Sequence, residues 1–345
     1  MKSPIFVAAG LVCVLGASNN AAHAVVLEQK WQTGKILTYD TNLSGSVNVK
    51  IPASIPSPIA GIPLDVDIDG QGKMQLETLR VDEAGTGTVA FKFPDFTLDA
   101  KDQTFGIPAK FTLSGGKTNV TIAGKPQEWG KGWGANAVPT SAVKIGKNGH
   151  IKGFEPIQAN APAANGATPQ APNAIGAATI QPSMMAALIS QALPALLPDK
   201  EVQKGDQWKS DVKFAAVART NEQTGEVLPL GSFDMILKGE ENVAGKSLWR
   251  IGVKGKVDVD GEKVNALSKQ APQTRGNAAV PQLESATQTV EGDIWFDAQA
   301  GQIYNAELIL GSNTSTFLPA KPGKKSEPSW LDFTGTLTMK LAEKA

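Results

Sequence analysis

Alternation of apolar and polar residues at a period of two runs through most of this chain. It is plain in VNVKI (47–51), TVAFKF (88–93), AKFTLS (109–114) and TNVTIAG (118–124). It returns in SLWRIGVKGKVDVDG (247–261), QIYNAELIL (302–310) and DFTGTLTMKL (332–341). Short runs of this kind, bounded by Gly, Pro, Asn and Asp, are strands with one buried and one wet face. The 35 Gly and 22 Pro are spread between them as punctuation. The pattern predicts a mainly β fold: an antiparallel curved sheet, half-barrel or sandwich with one amphipathic helix. That helix is predicted in PSMMAALISQALPALLP, over 183–197, where Met184, Met185, Leu188, Ile189 and Leu193 recur at helical spacing and Pro194 ends or kinks the run.

Three landmarks occur twice in the same order. WQTGKILTYDTNL around Gly34 is echoed by VQKGDQWKSDVKF around Gly205, each Gly opening an alternating strand. Ala84-Gly85 is echoed by Ala244-Gly245, and Gly149-x-Ile151 by Gly301-x-Ile303. The spacings are 51 and 64 residues in the first half and 40 and 56 in the second, so two related β units are expected. Between them, QANAPAANGATPQAPNAIGAATIQ (158–181) carries no charge and no aromatic residue, which is the composition of a linker or long loop. The expected organisation is a β unit over 25–157, a linker over 158–182, and a helix plus β unit over 183–345.

The first 24 residues change the picture of compartment. Lys2, an apolar run from Pro4 to Ala17 and Ala22-His23-Ala24 compose a secretory signal, the apolar run being too short to span a bilayer. Cys13 lies inside that run, preceded by Val12 where a lipoprotein signal would place a small residue. A mature chain beginning at Val25 would have no cysteine, hence no disulfide or thiol chemistry, and would be exported, periplasmic or extracellular. Without Lys2 there are 32 basic and 33 acidic residues and no dense basic run, which argues against nucleic acid as a partner. No later apolar stretch has the length of a membrane helix.

Candidate chemistry is sparse. His150, the one histidine past the signal, sits in the glycine-flanked turn GKNGHIKG and reads as an exposed turn residue; alone it cannot build a multi-histidine metal centre. Asp65, Asp67 and Asp69 in DVDIDGQG imitate the opening of a calcium loop, although Leu76 stands where the bidentate Glu belongs. Asp258, Asp260 and Glu262 in VDVDGE form a similar row. Both rows also read as the wet face of a strand ending in an Asp-Gly hairpin, or as the acid pair of a glycan-active enzyme. Trp129 and Trp133 in QEWGKGWGANAVP could stack on sugars or anchor a partner, or plug the end of a sheet. The Met184, Met185, Leu188 surface suits either a sheet cover or a lid over an apolar cavity. Trp208 is expected to be the first residue of its strand to reach the core.

The strand opening EVQKGDQW (Glu201 to Trp208), its counterpart KWQTGKILTY (Lys30 to Tyr39) and the closing WFDAQAGQIYNAEL (Trp295 to Leu308) resemble a set of uncharacterised bacterial secreted proteins. Those share a valine-x-x-glycine-aspartate-x-tryptophan strand and a later aspartate-x-x-x-glycine hairpin, matched here by Val202, Gly205, Asp206, Trp208, Asp297 and Gly301. The first half departs from it at Lys35 and Leu37. The resemblance implies a β-rich envelope protein and carries over no catalytic residue. More distantly, the architecture is similar to periplasmic lipoprotein-carrier half-barrels. The expected function is therefore non-catalytic binding of an apolar or amphipathic small molecule in a curved sheet. A module that binds envelope glycan or protein is the alternative, and a glycan-active enzyme the third. Calcium is the one cofactor the sequence raises.

Overall fold

The computed structural model describes residues 24–55, 60–115, 117–127, 141–156, 197–215, 227–270, 282–317 and 326–342. The first half contributes β1 (Ile36–Lys50), β2 (Pro63–Val81), β3 (Gly87–Asp102), β4 (Pro108–Ser114), β5 (Lys117–Ile122), β6 (Lys125–Pro126), β7 (Ser141–Ile145) and β8 (Ile151–Pro156). The second contributes β9 (Gln207–Ala215), β10 (Val227–Val243), β11 (Lys246–Asp260), helix α1 (Gly261–Gln270), β12 (Gln282–Asp297), β13 (Gln302–Phe317) and β14 (Pro328–Leu341). These fourteen strands form one antiparallel sheet in the order β6, β5, β4, β3, β2, β1, β14, β13, β12, β11, β10, β9. β3 serves two neighbours: residues 87–89 pair with β7, which carries β8, and residues 95–101 pair with β4. The sheet is open, yet it curls until β8 comes alongside β9 without forming a ladder with it.

The curl follows from what the alternation must bury. Directly paired residues share a face, so inward side chains form rows across the strands. One row runs Leu98, Gly70, Leu43, Leu337, Leu308, Gly292, Val253, Met235 and Trp208, crossing the junction of the two halves without a break. Tyr39, Met74, Leu237, Ile251 and Phe296, on five strands, are at most 1% exposed and belong to one core. A flat sheet could not hide one face so completely. Here the halves curve over each other, and Leu27, Ile55, Leu197 and Val202 from coil segments close the gaps. One of those closures is an antiparallel bridge between Val25 and Val202.

The halves meet where β1 pairs with β14, and two glycines set how closely. Gly45 faces Gly335, and a β-carbon on Gly45 would lie 2.3 Å from the Thr334 carbonyl oxygen and 2.6 Å from the Gly335 α-carbon. The Phe333 ring lies over this bare backbone, its Cε2 3.1 Å from the same position. Phe96 covers Gly72 and Phe233 covers Gly255 in the same manner. Rings laid across glycines let neighbouring strands coil sharply while the backbone stays dry.

The paired landmarks of the sequence occupy matching turns. Gly34, Gly85 and Gly149 have φ of 80°, 78° and 79°; Gly205, Gly245 and Gly301 have 94°, 81° and 63°. Gly34 N–H donates to the Thr78 carbonyl at 2.8 Å and Thr78 N–H to the Lys35 carbonyl at 3.0 Å. Gly205 and Leu237 repeat this, at 2.8 Å to the Leu237 carbonyl and 3.0 Å to the Asp206 carbonyl. The register slips just past each of these partners, between Thr78 and Arg80 and between Leu237 and Gly239.

One stretch departs from the sequence reading. VDVDGE was read as a strand face closing in a hairpin, but Gly261 begins α1. Asp260 caps it, its carboxylate accepting from Glu262 N–H at 3.0 Å and Lys263 N–H at 3.3 Å. Asn265 then bonds the Leu283 backbone twice, at 2.7 and 2.9 Å, docking the helix on β12. The helix expected over 183–197 and the linker over 158–182 lie outside the described residues, apart from the terminal Leu197, as does the signal segment up to His23.

Candidate functional site

The inward rows change character from one end of the curled sheet to the other. At the end where β1 starts, the core is apolar and sealed by segments 24–33 and 197–206. There Lys30 Nζ donates to the carbonyls of Ala298 at 3.2 Å and Gln299 at 2.9 Å, and Lys35 Nζ to Gln302 at 2.8 Å. Tyr39, 1% exposed, donates its hydroxyl proton to the Ile303 carbonyl at 3.0 Å. Burial in apolar surroundings pushes its ionisation well above the usual phenol range.

At the opposite end, where β1 stops, the inward rows are two-sided and mix buried with half-buried residues, and Ile51 and Ile55, both 2% exposed, pack into the core from the segment beyond β1. One row runs Val66, Val47, Phe333, Ser312, Gln288 and Val257; the next runs Leu64, Val49, Leu331, Thr314, Ala286 and Val259. Leu64, Val66 and Leu331 on β2 and β14 offer hydrocarbon, and they pack against the main core. Gln288, Ser312 and Thr314 on β12 and β13 offer an amide and two hydroxyls from the same concave face, all half-buried. This mouth is a surface that can hold a molecule with an apolar body and a polar, uncharged-binding end. Sequence alternation marked the inward positions. It could not show that strands distant in the chain place oil on one wall and hydrogen-bonding groups on the other.

The outer face carries a charged network over β10, β11 and β12. Arg250 bonds Glu241 at 3.0 Å and Asp293 at 2.7 Å, and its guanidinium lies 5.4 Å from the Trp295 ring centroid. Trp295 Nε1 donates to Glu241 at 3.0 Å, and Lys238 sits 2.6 Å from Asp293. Hydrogen bonds from Trp295 and Arg250 hold the Glu241 carboxyl below the usual range. Burial pushes Asp293 up, but Arg250 and Lys238 outweigh it and the net direction is down. Both carboxylates are thus held ionised by these donors, an arrangement that ties three strands together.

Asp65, Asp67 and Asp69 stand on the outward face of β2 at alternate positions, roughly 7 Å apart along the strand, so they form a file. Asp67 accepts from Gln103. Asp69 pairs in register with Asp99 of β3, which is bridged by Lys110 at 3.2 Å, and these groups border an open depression of about 670 Å³. The two carboxylates stand side by side on one face. Among the described residues no three His, Cys, Asp or Glu side chains converge as a metal site. Trp208 is half-buried, paired with Met235 on the inward face. Trp129, Trp133, Met184, Met185 and Leu188 lie outside the described residues. His150 does occupy the β7–β8 turn, but it is shielded: its side chain is 15% exposed with Nε2 3.8 Å from Asp199. Among the described residues no helix is long and apolar enough to cross a membrane.

No family model matches the chain, and no curated protein matches it. Among solved structures, one titled "Lipid-protein interactions in lipovitellin" aligns with 91% of this chain and 26% of its own, at 12% identity and a TM-score of 0.31. The chain therefore spans about a quarter of that protein's length, and a likeness this distant carries no functional argument.

Proposed function

We propose that this is an exported, non-catalytic envelope protein that takes an amphipathic small molecule at the two-sided mouth of its curved sheet. The observation that carries the reading is the division of the mouth into an apolar wall, Leu64, Val66 and Leu331, and a polar wall, Gln288, Ser312 and Thr314. A ligand with a hydrocarbon body would remove those half-exposed side chains from water, worth about 25 cal/mol per Å² of apolar surface covered. Its polar end would find hydrogen-bond partners without meeting a buried charge. The matching turns and hydrogen bonds of the halves support two related β units, and the signal reading of residues 1–24 supports export.

The test is titration of the chain from Val25, secreted from an exporting host, with the fluorescent probe N-phenyl-1-naphthylamine and displacement by oleate. Saturable enhancement reversed by about one equivalent of oleate is expected. Val66→Asp should weaken probe binding at least tenfold, while Gln288→Leu should spare the probe and weaken oleate. Absence of saturable binding, or equal binding by all three proteins, would sink the proposal. Made with residues 1–24 in place, a product that stays inside the exporting host with those residues uncleaved would remove the export reading separately.

A further inference from the structure

The convex face above the β1 and β14 junction has an unusual make-up for a solvated sheet. Outward positions of β1 read Asn42, Ser44, Ser46 and Asn48; those of β14 opposite them read Thr338, Thr336, Thr334 and Asp332. From Asn42 to Ser46 and Thr338 to Thr334 there is no charge and no long side chain, where lysine and glutamate usually stand. Trp330 ends the ladder between Lys50 and Ser315 and is 40% exposed. At the end of the sheet its ring walls a groove of about 390 Å³ with Asn48, Lys50 and Asp332 from the outward face and Val49, Pro63 and Leu64 from the rim. Ile309, 57% exposed, stands beside Thr336 on β13, so two apolar side chains bracket the polar ladder over roughly 20 Å of strand.

We propose that this face binds a neutral polysaccharide chain, one ring stacked on the Trp330 indole and the rest lying along the Ser, Thr and Asn ladder. An exposed indole presents a flat apolar face suited to the C–H face of a sugar ring. Asn48 and Asp332 beside it supply the donor and acceptors that ring hydroxyls require. Short hydroxyl and amide side chains, fixed at the strand spacing of about 4.8 Å, can exchange water for sugar hydroxyls with little loss of rotamer freedom. Charge selects the partner. Asp65, Asp67 and Asp69 flank the ladder on β2 and Glu307 flanks it on β13, outnumbering Lys50 in the groove, so a neutral chain is favoured over a polyanion. A protein partner would want an apolar centre, which a ladder of hydroxyls does not offer. The ladder lies on the outward face, and its groove meets the mouth at Val49 and Leu64, where β1 ends.

Affinity electrophoresis in gels containing hydroxyethylcellulose, soluble starch or mannan tests it, with dextran sulfate as the anionic control. Retardation by at least one neutral polymer is expected, falling at least tenfold in Trp330→Ala and Thr334→Glu, partly kept by Trp330→Tyr, and unchanged in Val66→Asp. Acrylamide quenching in the bound state should show one tryptophan newly protected, and that change should vanish in Trp330→Ala. Migration unaffected by all three neutral polymers, retardation unchanged in Trp330→Ala, or retardation by dextran sulfate alone would overturn the proposal.

Discussion

Tyr39 enters the core from β1 and gives its proton to the Ile303 carbonyl, two strands away on β13. Removing the hydroxyl strands a buried acceptor, so Tyr39→Phe should cost about 1–2 kcal/mol in urea unfolding. The same residue sets an alkaline limit. Its ionisation is raised in the folded state, so its contribution is fully present below the unfolded phenol value near 10 and is lost as pH rises above it. Stability should fall by about 1.4 kcal/mol per pH unit there, and this component of the slope should be missing in Tyr39→Phe. Gly45 makes a steric counterpart. A methyl group 2.3 Å from a backbone oxygen has no flexible neighbour to displace, so Gly45→Ala should lose about 3 kcal/mol, whereas Gly106→Ala, with open space around it, should lose only the cost of its positive φ. Neither role was legible in the sequence. The partner of Gly45, Gly335, lies far along the chain, and nothing local to either residue shows that they meet.

The elements show which sequence signals are local enough to trust. Period-two runs found most strands, and glycines before a strand or at a bend found the turns, because both are decided within a few residues. The helix α1 escaped, since Asp-Gly after an alternating run is also the signature of a hairpin and GEKVNALSKQ is short, with Val264, Ala266 and Leu267 as its apolar residues. Its start depends on Asp260, whose carboxyl is held below the usual range, first by the Lys263 backbone N–H. A depressed carboxyl stabilises above its ordinary range and loses that contribution as pH falls through the folded value. Amide exchange at Glu262 and Lys263 should therefore be slow at neutral pH and quicken on acidification, and Asp260→Ala should quicken it roughly fivefold at pH 7, with Asp260→Asn between. Rates unaltered in Asp260→Ala would mean that docking through Asn265 alone holds the first turn.

Both halves share one core and one uninterrupted set of inward rows, whatever their ancestry. Thermal or urea unfolding should accordingly give a single transition with coincident tryptophan fluorescence and far-ultraviolet signals, and two resolved transitions would show that the β1–β14 junction is weaker than its registry implies. The order of strands could not be read from sequence, because pairing partners are chosen by the whole sheet and not by neighbours along the chain. The same limit hid both surfaces proposed to bind ligands: each extends across the pairing of β1 with β14, strands far apart in the chain. That assembly also sets a schedule for synthesis. Asp40 pairs with Lys340, so at roughly 5–20 residues per second β1 waits about 15–60 s for its second neighbour to be made. Until then its edge is open to pairing with another copy. A sheet whose β1 edge is covered only when β14 is made stays threadable until then, which suits the export proposed for it.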